Sequence, residues 1–400
     1  MGEKKSTKGE KALKAGVWYT ISSVAVKAMA IITTPIYTRL LTTGDYGTVQ
    51  TFTTWYALLQ IFCSLNLTWS VGNAKQDFKD KTDEYVGNLQ LFSALFTILL
   101  SVGTVLLWPV LQNLFDMSPL VMIIMGIYLI TGNIVGLEQT KFRFQYKYKE
   151  NIAITVFISV ATVVVSVAMI LNMETDRYLG RIIGIVLPMI FLGILFTVLN
   201  LKKHTWSLNK TYIIYGLKIS VPLILHTVSL NILAQSDRLV IAKFGTNSDV
   251  GVYSLAYQYA ILINVFLNAI NEAWLPWFQD QYAVGDFATI RQKVKPLILF
   301  GCYMSIGCAA VAPEAILILG GKSYSEGVWV VPPILMGLLC QFLYTRYVHV
   351  ELQEKKTGII SSGTMVAAAI NLILNFIFVP RYGFVAAGYT TFFSYMVLFV

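Results

Sequence analysis

The sequence predicts an all-α polytopic membrane protein: about twelve transmembrane helices in two pseudo-symmetric six-helix lobes around a central cavity. Three observations carry this. Of 400 residues, 56% are apolar and only 13% charged, with a mean hydropathy of +0.65. A soluble domain carries roughly 25% charged residues and could not solvate its surface with half that share. Apolar runs of spanning length recur along the whole chain, and the Lys and Arg residues fall between them in alternating density. The aromatic content (22 Tyr, 23 Phe, 8 Trp) excludes a disordered chain. The net charge of +9 is no nucleic-acid footprint, because the cations are not gathered on one soluble face.

A spanning helix needs about 20 largely apolar residues. The N-terminal segment, with lysines at 4, 5, 8, 11 and 14, is no signal peptide, since the apolar run after it is too long and contains Lys27. The expected spans are 15–38, 48–71, 85–111, 118–139, 151–172 and 180–201, then 212–239, 249–272, 295–319, 328–349, 358–379 and 383–400. The longest connection, 273–294, holds Trp274, Pro276, Trp277 and Phe278 and reads as an interfacial amphipathic segment. No connection is long enough for an extramembrane domain. With the N-terminus in the cytoplasm, every inner connection is more basic than its outer neighbours, from Lys75, Lys79 and Lys81 to Lys355 and Lys356. The chain stops at Val400 inside an apolar run, as a fragment of a longer protein with two further spans would. Cys63, Cys302, Cys308 and Cys340 lie in apolar stretches without metal-ligand spacing and read as small buried hydrophobes.

Sliding the sequence on itself by 204 residues aligns Lys14 with Lys218, Asp45 with Asp249, Gly47 with Gly251, Tyr178 with Tyr382 and Gly184 with Gly388. Each pair shares its place relative to a span. An even number of spans per half makes the halves parallel repeats, the arrangement of transporters with a midplane site between two bundles. The lobes are therefore expected at 1–205 and 206–400, joined by the polar stretch 202–206.

Polar residues inside spans are costly and each needs a reason. Lys27, twelve residues into the first span, is too deep for easy snorkelling and lies on one helical stripe with Thr20, Ser23 and Thr34. Its 204-shifted partner is Asn231, on a second stripe with Thr227, Gln235 and Arg238. Span 8 adds Tyr257, Asn264, Asn268, Asn271 and Glu272, and span 2 adds Gln50, Thr54, Gln60 and Asn66. Together these stripes suggest a hydrated cavity, although interhelical hydrogen bonding is the simpler account of any single amide. Glu272 and, more weakly, His226 are the candidates for ion coupling. Glu138, Glu314, Arg346 and Glu351 lie near span ends and are expected to snorkel or pair, while Gly103, Gly132, Gly136 and Gly184 read as close-packing positions. His204, His226 and His349 have no metal spacing, and no catalytic constellation, phosphate-cradling loop or dinucleotide fingerprint occurs. Neither an enzyme nor a cofactor or metal is expected.

The run Pro35-Ile36-Tyr37-Thr38-Arg39-Leu40-Leu41-Thr42-Thr43-Gly44-Asp45-Tyr46-Gly47 resembles the end of the first span in bacterial polysaccharide exporters, the O-antigen and capsule flippases of the multidrug/oligosaccharidyl-lipid/polysaccharide superfamily. Ser236-Asp237-Arg238, Gly245 and Gly251-Val252-Tyr253-Ser254-Leu255-Ala256-Tyr257 resemble the seventh-to-eighth span signature, and Asn371 to Asn375 with Pro380-Arg381-Tyr382-Gly383 the eleventh. Each motif alone is weak; their order along the whole chain is specific. The resemblance implies alternating access by two lobes and transport of undecaprenyl-pyrophosphate-linked oligosaccharide across the bacterial cytoplasmic membrane for cell-surface polysaccharide synthesis. It also maps the family's outer-end charges onto Arg39, Asp45, Asp237 and Arg238, which are expected to form a gate. Expected partners are the lipid-linked substrate, the bilayer, and a polysaccharide polymerase and glycosyltransferases, with no nucleic acid. Many members have fourteen spans, so twelve mark a short member or a truncation. A multidrug or cation antiporter of the same superfamily would favour acidic cavity residues over Lys27. A membrane glycosyltransferase or polymerase would need an extracytoplasmic loop that this chain lacks.

Overall fold

The computed structural model describes residues 8–115, 117–203, 206–354 and 356–400; its side-chain description leaves out 8–17, 19–21, 23–24, 272–273 and 357. The regular structure of the described residues is helical, without strands. In chain order the helices are α1 (Lys8–Leu40), α2 (Thr43–Ser64), α3 (Val71–Asp77), α4 (Thr82–Leu106), α5 (Trp108–Phe115), α6 (Pro119–Phe144), α7 (Tyr148–Leu171), α8 (Arg177–Lys202) and α9 (Lys210–Ser220). They continue with α10 (Ile224–Phe244), α11 (Asn247–Ala260), α12 (Ile263–Ala283), α13 (Phe287–Ala310), α14 (Ala312–Gly320), α15 (Val331–Gln353), α16 (Thr357–Tyr382) and α17 (Phe384–Phe399).

Among the described residues, nine helical stretches are long and apolar enough to cross a membrane. They correspond to expected spans 3 to 11. The remaining three expected spans fall on α1, α2 and the 16-residue α17. Five threonines, Asp45, Gln50 and Gln60 keep α2 out of the nine. The stretch 247–283 runs well past the expected end of span 8. Trp274 and Phe278 are buried, only 8% and 3% exposed, so they are core residues of α12 and not a belt in the bilayer interface. Only residues 284–286 separate α12 from α13.

The chain forms two compact units, one of residues 1–33 with 55–227, the other of residues 34–54 with 228–400. In the first unit, α7 and α8 pack closely because Gly184 brings its backbone onto Ser166 and Gly180 onto Ile170. A ring cluster of Phe78, Tyr85, Tyr212 and Tyr215 closes α4 against α9. One ion pair of this unit lies in its interior: Lys141 Nζ is 2.6 Å from Glu138, both side chains nearly inaccessible. Gln90 donates to Glu138 at 3.2 Å, and Asn200 donates to Gln90 at 2.7 Å. Glu138 therefore pairs within the core instead of reaching for the bilayer surface. Gly132 is held against Tyr56, whereas Gly103 and Gly136 face open space, so only two of the four expected close-packing glycines act as such. All four cysteines are free; Cys63 is buried and the other three are half-buried.

In the second unit the tip of the first hairpin, Thr34 to Thr54, joins residues 228–400 and packs on α11 and the end of α14. Tyr46 meets Tyr324 edge-on with ring centroids 6.0 Å apart, and the Thr38 hydroxyl donates to the Leu319 carbonyl.

Candidate functional site

The α1–α2 corner and the α10–α11 corner are built alike. At the start of α2, Asp45 accepts from the Thr42 amide (3.2 Å) and hydroxyl (2.7 Å), while the Thr42 hydroxyl accepts from the Asp45 amide at 3.0 Å. At the start of α11, Asp249 accepts from the Thr246 amide and hydroxyl, both at 2.8 Å, and the Thr246 hydroxyl accepts from the Asp249 amide at 3.2 Å. Both are reciprocal caps in which a Thr and an acid three residues on satisfy each other's backbone donors. Each carboxylate also sits where the helix N-terminus favours negative charge.

The two helix starts lie against one another. A Cβ on Gly47 would overlap the carbonyl of Asn247, and a Cβ on Gly251 would overlap the carbonyl of Thr43. The hydroxyls of Thr43 and Ser248 are 2.5 Å apart. Gln258 of α11 ties the seam to the first hairpin: its amide donates to Thr34 at 3.0 Å, and its carbonyl accepts from the Tyr46 hydroxyl at 2.9 Å. Asp45 thus enters a local cap, and Arg39 is exposed.

Asp237 and Arg238, adjacent on α10, diverge. Asp237 is 1% exposed and accepts three hydrogen bonds, from Tyr253 (2.5 Å), Thr391 (2.7 Å) and Asn375 (2.6 Å). Ser236 and Asn375 both donate to the side-chain Oδ1 of Asn371, and Thr390 donates to the side-chain Oδ1 of Asn375. A carboxylate only accepts, and here every neighbour is a donor, so the acid is fixed by α11, α16 and α17 at once. Arg238 points instead to Ser254, donating at 3.2 Å, with its guanidinium 4.8 Å from the centre of the Tyr257 ring.

Lys27 is exposed on α1. Asn231 is half-buried and accepts from Gln235 at 3.2 Å, a one-turn pair on α10. Asn264 is half-buried and Asn268 exposed on α12. The half-buried His226 keeps an Nδ1 that has no partner among the described residues. The side chains of Ser23 and Glu272 lie outside the described residues, as does His204. Among the described residues, no cluster of three His, Cys, Asp or Glu could hold a metal ion. Sequence reasoning missed Gln258 and the paired hydroxyls of Thr43 and Ser248. A signal for the second was present, since Thr-x-x-Asp occurs twice at the same 204-residue offset.

Long apolar helices with carboxylate, amide and hydroxyl networks in their interior define a multi-pass membrane protein. A solved inward-facing MATE-family multidrug resistance transporter of the MOP superfamily is similar with a TM-score of 0.66 at 12% identity, over 95% of each chain. The lipid II flippase MurJ, in an inward closed conformation, is similar with a TM-score of 0.65 at 13% identity, over 96% of this chain and 86% of its own. The chain belongs to the family described as polysaccharide biosynthesis proteins, whose pattern matches residues 12–281. A protein of the Lsg locus of Haemophilus influenzae is 21% identical over 344 residues, 84% of this chain and 79% of the relative.

Proposed function

We propose that this protein flips an undecaprenyl-pyrophosphate-linked oligosaccharide across the bacterial cytoplasmic membrane for cell-surface polysaccharide synthesis, with its N-terminus in the cytoplasm. The observation that carries the reading is the family match across 12–281, which takes in both corner motifs. The exposed cation of Lys27 on the first helix suits a pyrophosphate, and Ser23, Asn231, Gln235, Asn264 and Asn268 offer hydroxyls and amides to a glycan. Thr34 joins them once its bond with Gln258 opens. The lobes are taken as 1–205 and 206–400, alternating in access, and the seam between Gly47 and Gly251 is the part of the outer gate that must separate. Arg39, Asp45, Asp237 and Arg238 set its charges. Glu272 and His226 are the ion-coupling residues if transport is coupled.

The test is reconstitution into liposomes with a fluorescent undecaprenyl-pyrophosphate-linked oligosaccharide, scoring how fast the glycan becomes accessible to a glycosidase on the opposite side. Acceleration over protein-free liposomes is expected. The likeness to a MATE transporter supports a second reading, efflux of cationic drugs. Dye movement without glycan movement would establish that reading in place of the first.

A further inference from the structure

A further shielded cation lies on α15. Arg346, on the last third of α15, has all three guanidinium nitrogens shielded from solvent, and none bonds to a partner among the described residues. Its guanidinium rests 4.5 Å from the centre of the Phe342 ring and 5.7 Å from that of Trp274 on α12. His349, one turn further on the same face of α15, is 6% exposed, and its Nδ1 also has no partner among the described residues. It lies beside Phe278, which in turn stacks on Trp274. On α12, three residues before Trp274, the side-chain carbonyl of Asn271 is likewise unmatched.

This arrangement is costly. A buried charge is ordinarily paired with an opposite charge or satisfied by hydrogen bonds, and two ring faces supply only part of that. The nearest acid further along the same helix, Glu351, stands five residues on, roughly 140° round the helix at 100° per residue. A planar fork of donors beside an imidazole, walled by aromatics, matches a tetrahedral oxyanion: two parallel bonds from the guanidinium and one from the ring nitrogen.

We infer that Arg346 and His349 form a binding site for a lipid-borne phosphate group, with Trp274 as an aromatic wall. The site shares α12 with Asn264, Asn268 and Glu272, to which export is ascribed above, but includes none of them. It rests on that reading only for the choice of a polyprenyl lipid as one source.

Full-length protein in detergent is titrated with inorganic pyrophosphate, with binding read by tryptophan fluorescence and by heat. Saturable binding is expected for the unaltered protein. Arg346→Met should bind at least about tenfold more weakly, the loss expected when charge-assisted hydrogen bonds are removed. Arg346→Met should also melt no earlier than the unaltered protein without pyrophosphate, because a buried charge with no partner among the described residues has been removed. Unchanged affinity in Arg346→Met, or earlier melting without ligand, overturns the site. His349→Gln should weaken binding by a smaller factor.

Nanodiscs of phosphatidylcholine alone, with phosphatidylglycerol, and with undecaprenyl pyrophosphate then separate the sources. A response to undecaprenyl pyrophosphate only identifies the polyprenyl lipid, and a response to both identifies a general headgroup site. A response to neither overturns the lipid-borne claim. Binding is measured without a transport step, so its failure leaves the export reading standing, and failed glycan flipping leaves binding measurable.

Discussion

Gly47 and Gly251 occupy the same place in two helix starts 204 residues apart, and each leaves room for the other's corner. Gly47 faces the carbonyl of Asn247, and Gly251 faces that of Thr43. Because 43 and 247 are offset by the same 204 residues, the contact is reciprocal, as a local two-fold relation between repeats requires. No side chain larger than hydrogen fits at either position without moving backbone.

Gly47→Ala and Gly251→Ala should therefore each destabilise the protein by about 1–3 kcal/mol, the usual cost of overpacking. The double substitution should cost less than the sum, since both act on one contact. Gly44→Ala is the control: its nearest neighbour, the Thr42 hydroxyl, would be 3.8 Å from the added carbon. Thermal unfolding in detergent reads all four. A loss for Gly44→Ala as large as for Gly47→Ala would refute the contact argument.

The seam also offers a lock. With hydroxyls 2.5 Å apart, Thr43→Cys and Ser248→Cys place two sulfurs close to bonding distance in a background without the native cysteines. Oxidation should crosslink the pair nearly completely and stop export, and reductant should restore it. Full export by quantitatively crosslinked protein would show that the seam never parts.

How much of this was legible beforehand divides along the length scale of the interaction. The apolar spans were legible because length and composition decide them locally. The repeat was legible in Asp45, Gly47, Asp249 and Gly251, and the Thr-x-x-Asp caps follow from spacing within one turn. The surroundings of Asp237 were not, since Asn375 and Thr391 are 138 and 154 residues away. The same holds for Gln258, whose partners lie in the first hairpin. Trp274 and Phe278 misled, because an aromatic cluster beside a proline looks the same in sequence whether it faces lipid or a neighbouring helix.

Asp237 gives a prediction of graded severity. Asp237→Ala leaves the donors of Tyr253, Thr391 and Asn375 unmet in the interior, at about 1–3 kcal/mol each before relaxation. Thr391→Val removes one donor to the carboxylate and should cost about 1 kcal/mol. Denaturant titration should rank Asp237→Ala well below Thr391→Val in stability. Equal losses would mean that the acid is not the centre of the network.

The Glu138–Lys141 pair in the first unit allows a double-mutant cycle. Lys141→Met alone strands a buried carboxylate and should cost about 3–5 kcal/mol, whereas Lys141→Met with Glu138→Gln should recover most of it. Gln90 retains a partner in the double variant, since a glutamine carbonyl still accepts its amide proton. Additive losses in unfolding experiments would show that the two side chains act independently.

Lys27 bears most directly on function, and its exposure sharpens the test. An exposed residue away from special backbone features changes stability by only about 0.5 kcal/mol when substituted, so Ala, Gln and Arg at position 27 should all leave insertion and abundance near normal. Activity should separate them by charge. Lys27→Ala should abolish export, and Lys27→Gln should match it, because an amide keeps a hydrogen bond but cannot neutralise pyrophosphate. Lys27→Arg should retain part of the activity, since the charge survives while its geometry changes. A cysteine at position 27 should react with a water-soluble thiol reagent if the position is hydrated in the membrane. Normal export by Lys27→Gln at normal abundance would falsify the pyrophosphate role and leave the transport reading to other cations.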